Sequence, residues 1–235
     1  MSLDTDGYAL APGLYSASEC AELIASLEKS LNAADPAIRG GDGAIYAARN
    51  LLSLWTQART FWRIAPVRAF LTAHLGPSCG LVRVLYFDKP PGNSWALPWH
   101  KDLTVAVRDN ALTSTRFSKP TTKSGVPHVE APLEVLRRML TLRVHLDEVT
   151  DENGPLKVLP GSHHTDKTLD LRGEVRVLHA AAGAGLWMRP LLAHCSNRSS
   201  EGTTRHRRII HLEFAADETL PDGYSWYTWE RVNKD

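Results

Sequence analysis

The chain begins with helically spaced apolar residues and changes, a third of the way along, to short runs typical of strands. Leu23, Ile24, Leu27 and Leu31 form the stripe of an amphipathic helix. Ser16 followed by Glu19 predicts its start, since each side chain can accept the other's free backbone N–H. Asp35-Pro36 predicts its end. A Gly40-Gly41-Asp42-Gly43 loop follows, then two shorter helices around Asn50–Gln57 and Pro66–Leu75, the second opened by Pro66 and stopped by Gly76-Pro77.

From Leu81 the runs Leu81–Lys89, Leu103–Val107, Leu140–Glu148, Val175–His179, Leu186–Arg189 and Arg208–Ala215 are rich in β-branched or aromatic residues and separated by Gly, Pro, Asn and Ser. A helical turn near Pro132–Met139 interrupts them, and the polar stretch Arg108–Pro132 reads as a long loop. Many short strands after helices, without βαβ alternation, predict a mainly β sandwich or jelly roll with helices outside. The expected organisation is one domain over 1–235. Residues 1–80 form a helical part, 81–215 the jelly-roll core and 108–132 a lid loop.

Composition narrows the class. Of 235 residues, 43% are hydrophobic and 23% charged, which excludes a disordered chain. A net charge of +1 gives no global pull toward nucleic acid or an anionic membrane. No apolar stretch approaches the ~18 residues of a membrane span. The opening Met1–Asp6 lacks the features of a secretory signal, and Cys20, Cys79 and Cys195 are odd in number and far apart. The expectation is a cytoplasmic protein with reduced thiols.

Five His-x-carboxylate pairs are present: His100/Asp102, His128/Glu130, His145/Asp147, His164/Asp166 and His211/Glu213. On a strand such a pair shares one face and can bind one ion, yet roughly one pair arises by chance at this composition. His164/Asp166 lies in a turn and His128/Glu130 in the polar loop, so both read as solvated groups. His145/Asp147 and His211/Glu213 have strand geometry available. His100/Asp102 sits at a strand entrance, after Pro98-Trp99 and before Leu103-Thr104-Val105. A third ligand must come from another strand, for which His194 is the best candidate.

At these residues the chain resembles the phytanoyl-CoA dioxygenase family of Fe(II)/2-oxoglutarate oxygenases. The resemblance runs through Asp6-Gly7-Tyr8, Phe87-Asp88-Lys89, Pro98-Trp99-His100-Lys101-Asp102, Asn153-Gly154-Pro155-Leu156, Pro160-Gly161-Ser162-His163, Ala193-His194-Cys195-Ser196 and Arg207-Arg208-Ile209. It implies a double-stranded β-helix, with iron held by His100, Asp102 and His194. It also implies that Ser196 and an arginine bind 2-oxoglutarate. Arg207 is the best match for that arginine, and Arg205, of the same strand parity, competes with it. Arg208 would face the other way.

The implied cofactors are Fe(II), 2-oxoglutarate and O2. Two imidazoles and one carboxylate leave three positions of an octahedral iron open for cosubstrate and oxygen. A guanidinium then balances the charge of the ferrous ion, Asp102 and the keto-diacid. Halogenating relatives lack the carboxylate, so Asp102 favours hydroxylation of an unactivated C–H with release of succinate and CO2. The competing class is a non-oxidative jelly-roll metalloprotein, such as an isomerase or sugar-binding module, using the same histidines. Arg143 reads as half of a structural ion pair, His163 and Asn153 as turn-fixing residues, and Trp95, Trp99 and Trp187 as core or pocket wall. The expected partner is a small metabolite, with neither nucleic acid nor membrane. Acyl-CoA is disfavoured because no basic cluster outside Arg205–Arg208 is evident.

Overall fold

The capping pair of Ser16 and Glu19 closes as the sequence predicts: the Ser16 N–H donates to Glu19 Oε2 at 2.7 Å and the Glu19 N–H to Ser16 Oγ at 3.3 Å. A computed structural model describes residues 2–41 and 44–233. Its helices are α1 (Leu3–Asp6), α2 (Ala17–Ser30), α3 (Leu51–Leu54), α4 (Ala65–Leu75) and α5 (Leu133–Leu136). The strands are β1 (Tyr8–Ala11), β2 (Ile38–Gly41), β3 (Ala44–Ala48), β4 (Gly80–Phe87), β5 (Leu97–His100), β6 (Thr104–Ala106), β7 (Ser118–Lys123) and β8 (Val126–Glu130). They continue with β9 (Met139–His145), β10 (Leu156–Val158), β11 (Arg176–Leu178), β12 (Gly185–Met188), β13 (His194–Ser196), β14 (Ile209–Ala215) and β15 (Glu230–Arg231).

The large antiparallel sheet has the order β1-β12-β9-β14-β4-β3-β2, with β15 also on β4; the smaller one runs β11-β10-β13-β5. This is the expected jelly roll with flanking helices. Alternation along the central strands sorts side chains to two faces. Leu140, Leu142 and Val144 of β9, with Ile210, Leu212 and Phe214 of β14, join Leu23, Leu27, Trp55, Trp62 and Leu71 in the main core beneath the helices. Thr141, Arg143, His145, His211 and Glu213 project from the same strands to the other face, and all are buried. The polar face is the interior of the roll.

Four expectations need correction. The N-terminal part is not wholly helical: β1, β2 and β3 extend both edges of the large sheet. Of the glycine loop, Gly40 and Gly41 end β2, while Asp42 and Gly43 lie outside the described residues. The helix predicted over 50–57 stops at Leu54 because Trp55 is extended (φ −133°, ψ 110°) and buried, its indole N–H donating to Ser26 Oγ at 2.9 Å. Finally, the polar stretch 108–132 contains a hairpin, β7–β8, which forms a third sheet with β6. Ser124 and Gly125 turn it with φ of 51° and 76°, the left-handed pair of a two-residue hairpin loop. Val126, His128 and Glu130 are buried, whereas β7 is mostly exposed and so resembles a loop in sequence.

Candidate metal centre and anion pocket

β5 and β13 are neighbours, and His100 and His194 are paired residues in their register. Asp102 follows β5, its backbone N–H donating to Pro190 O at 2.9 Å. The ligand atoms of His100, Asp102 and His194 all lie within 4.8 Å of one another. His100 Nδ1 is 2.8 Å from Pro98 O and His194 Nδ1 is 2.9 Å from Leu192 O, so each Nδ1–H donates to a carbonyl and each Nε2 keeps its lone pair. Those Nε2 atoms stand 3.7 and 3.8 Å from the two oxygens of Asp102. Burial above all pushes His194 down to about 4, which keeps it neutral and able to ligate. Burial would raise Asp102, but His194, His211, His100 and Arg143 together hold its carboxyl below the usual range.

The Pro160-Gly161-Ser162 turn supports both ligand-bearing strands. Ser162 Oγ accepts the N–H of Ala193 at 2.8 Å, beside His194. Ser162 O accepts from Lys101 Nζ at 3.0 Å, between His100 and Asp102. Lys101 also donates to Thr165 Oγ1 and Asp166 O, each at 2.7 Å. It thus points away from the ligands, as strand parity requires.

Beside the triad lies a buried group of cations. Arg207 is 2% exposed and donates from Nη1 to Gly154 O at 2.6 Å, while its Nε has no partner. Lys89 is fully buried; its ammonium donates to Ser196 Oγ at 3.0 Å and to Asn197 O. Arg143 is buried with an unpartnered Nε, and no carboxylate pairs with it among the described residues. The expected structural ion pair is therefore absent there. Burial pushes Lys89 down to about 6, with Arg207 and Arg143 adding to the effect. It likewise pushes Arg207 to about 9 and Arg143 to about 10. Gly154 (φ 70°) is required here: a Cβ would meet Asn197 O at 2.5 Å and Lys89 Nζ at 3.0 Å.

The competing arginine goes elsewhere. Arg205 is half exposed and pairs with Glu148 at 2.9 Å and Glu152 at 3.3 Å. Arg208 turns outward to Asp147 at 2.8 Å. The basic run is thus ion-paired or buried rather than offered to a polyanion.

The other His-x-carboxylate pairs do not assemble with a third ligand among the described residues. Asp147 is held by Arg208, and Glu213 pairs with Arg83 at 3.3 Å. His128 and Glu130 are buried on β8, not solvated as expected; Glu130 binds Lys119 and Lys167. His164 remains in its turn. Asn153 fixes a turn as expected, accepting from the Thr150 N–H at 2.9 Å and donating to Glu148 O and His206 O. Lys89 carries no signal of its own in the sequence, although Phe87-Asp88-Lys89 is part of the resemblance; a lone lysine ordinarily marks a solvated surface.

A jelly roll carrying two imidazoles and a carboxylate on one face has the donor set of a non-haem iron oxygenase. The family model for phytanoyl-CoA dioxygenase (PhyH) matches residues 3–207, and the chain belongs to that family of oxygenase-type enzymes. No curated protein matches it. Among solved structures, the iron-bound EctD from S. alaskensis is 23% identical (TM-score 0.65), over 91% of this chain and 74% of that one. AviO1 from Streptomyces viridochromogenes Tue57 is 22% identical (TM-score 0.66), over 93% of each chain. SnoN, an α-ketoglutarate-dependent epimerase of nogalamycin biosynthesis, is 19% identical (TM-score 0.66), over 94% of this chain and 83% of that one. At these identities the likeness is one of fold.

Proposed function

We propose that the protein is an Fe(II)- and 2-oxoglutarate-dependent oxygenase that hydroxylates an unactivated C–H of a small organic substrate. The observation that carries this reading is the juxtaposition of the His100–Asp102–His194 donors with Lys89, Arg143 and Arg207, buried basic groups that have no carboxylate partner among the described residues. Donors left orphaned in a protein interior are costly, and a dianion would satisfy them. Both the donor set and the orphaned Nε atoms therefore fit the cosubstrate. Bound there, iron would activate O2, which takes two electrons from 2-oxoglutarate as it becomes succinate and CO2 and two from the substrate C–H.

The chain's own residues bind and orient. His100, Asp102 and His194 hold the metal on one side, fixed by Pro98 O, Leu192 O and the Ser162 turn. Arg207 and Lys89 grip the distal carboxylate. Ser196 Oγ accepts from Lys89, which leaves its hydroxyl hydrogen for the same carboxylate. Arg143 of β9 lines the same cavity as the triad and would offset the negative charge gathered there once the metal and cosubstrate are bound. Asp102 would give the metal a carboxylate ligand in place of a halide, which favours hydroxylation.

The adjoining cavity, lined by Phe87, Leu97, Leu136 and Met139 among others, measures about 160 Å³. That is below the roughly 300–1,000 Å³ of pockets that bury drug-sized ligands, and it suits a small metabolite better than an acyl-CoA. The β7–β8 hairpin contributes Lys123 to its wall and is the candidate lid. The three cysteines are buried and unpaired, in keeping with a reducing, cytoplasmic setting. No helix among the described residues is long and apolar enough to cross a membrane.

A substrate screen scored by succinate release tests the reading. Turnover that requires both iron and 2-oxoglutarate, and that Arg207→Ala abolishes, is expected. Metal-dependent activity that ignores 2-oxoglutarate and survives Arg207→Ala would instead establish a non-oxidative metalloprotein.

A further inference from the structure

The interior face of the large sheet is ordered in rows across β4, β14 and β9. Arg83, Glu213 and Thr141 form one row; Leu85, His211 and Arg143 the next; Phe87, Ile209 and His145 the third. Lys89 and Arg207, joined by reciprocal backbone hydrogen bonds of 3.3 Å, follow beyond. The two ends of this ladder are six residues apart on one chain, about 20 Å of extended strand. Cations stand at both ends.

The Arg83 end opens into the cavity beside the triad. Arg83 is buried and gives Nη1 to Glu213 at 3.3 Å. Arg49, just after β3, and Lys123, at the end of β7, line the same cavity as His100, Asp102 and His194. Lys123 Nζ donates to Thr104 Oγ1 at 2.9 Å, and neither Lys123 nor Arg49 has a carboxylate partner among the described residues. The cavity wall carries Arg49, Arg83, Lys123 and Arg143 against Glu213 and Asp102, a surplus of two positive charges. Outside the interior of the roll, by contrast, Arg208 is balanced by Asp147 and Arg205 by Glu148. Burial, followed by the mutual repulsion of Arg83 with Arg49 and Lys123, lowers the pKa of the latter two, a repulsion that a bound anion would relieve.

We propose that Arg49, Arg83 and Lys123 form the anion subsite for the substrate, which is a small organic molecule carrying a carboxylate or phosphate. The inference rests on the oxygenase reading and deepens it. The Arg83 row lies two residues, or about 7 Å, from the row that faces the metal. The subsite therefore holds the anionic group several bonds from the C–H presented to the iron. Glu213 fixes Arg83 and, with Asp102, holds the surplus at two. The three cations come from separate stretches of chain, so the subsite exists only in the folded protein.

The test is calorimetry on the anaerobic Fe(II)–2-oxoglutarate protein, with 2-oxoglutarate saturating so that Lys89 and Arg207 are occupied. Inorganic phosphate and acetate are the anionic probes, and acetamide is the neutral control. At least one anion binds and acetamide does not; the preferred anion identifies the source as a phosphate ester or a carboxylate. Losing one charged contact weakens binding about tenfold, so Arg49→Gln with Lys123→Gln weakens it by about 100-fold. Lys123→Arg retains affinity and Glu213→Gln tightens it. Equal binding of anions by the double variant and the parent protein overturns the subsite, as does absence of anion binding while the iron–2-oxoglutarate chelate forms. Should the chelate itself not form, the oxygenase reading fails on its own. The same titrations of phosphate into metal-free parent and double variant then decide the subsite, upheld by a loss of affinity in the double variant and overturned by equal affinity or none. Both substituted residues are half-buried at the cavity wall, and a melting curve for each variant confirms that the fold persists.

Discussion

The two faces of the large sheet are built from the same strands and carry opposite chemistry. Toward the helices, β9 and β14 present Leu140, Leu142, Val144, Ile210, Leu212 and Phe214. Toward the interior they present Thr141, Arg143, His145, His211 and Glu213, equally buried. Apolar burial contributes about 25 cal/mol per Å², so the first face supports the fold. Buried charge without a partner works against folding. The second face is therefore maintained at a cost in stability, and what it can bind explains its presence. One face should fail as stability and the other as binding.

The largest contrast lies at the metal centre. Asp102→Ala removes the anionic ligand and leaves two imidazoles; iron binding, followed by anaerobic equilibrium dialysis, is lost while the melting temperature is kept. On the apolar face of the large sheet Leu212→Ala, at a fully buried site, costs about 2–5 kcal/mol of stability in denaturant titration, and any folded fraction still binds iron. Arg207→Met weakens 2-oxoglutarate about 100-fold by calorimetry, equivalent to about 2.7 kcal/mol, with stability held or raised because an uncompensated buried cation is gone.

The smallest effect is graded with pH. Lys89, pushed down to about 6, is largely neutral above that pH in the ligand-free protein, and a bound dianion raises its pKa again. Binding therefore takes up a proton between pH 6 and the raised pKa. Affinity for 2-oxoglutarate falls as pH rises through that window, by up to about tenfold per unit, and Lys89→Met abolishes the slope.

Much of the aliphatic face was legible in the sequence. The runs at Leu81–Lys89, Leu140–Glu148 and Arg208–Ala215 became β4, β9 and β14 within three residues at each end, because long β-branched stretches leave little choice of conformation. The shortest strands were not legible. β2 (IRGG), β5 (LPWH) and β13 (HCS) are too short or too rich in Gly and Pro to show a period, and pairing alone makes them strands. The polar interior, shared by the two sheets, was half legible. His100, Asp102, His194, Ser196 and Arg207 followed from matched motifs, and the structure gathers all five in the interior of the roll. Arg143 resembled a structural ion pair, and Arg49, Arg83 and Lys123 carried no local signal. Their meeting is set by register across strands distant in sequence.

The most direct test of the paired metal and anion sites is an anaerobic titration of Fe(II) and 2-oxoglutarate, followed by visible absorbance. The account predicts a weak charge-transfer band that needs both components, saturates at one equivalent of each, and vanishes in Asp102→Ala. A folded protein that binds iron at His100, Asp102 and His194 yet gives no band at any concentration of 2-oxoglutarate would contradict it.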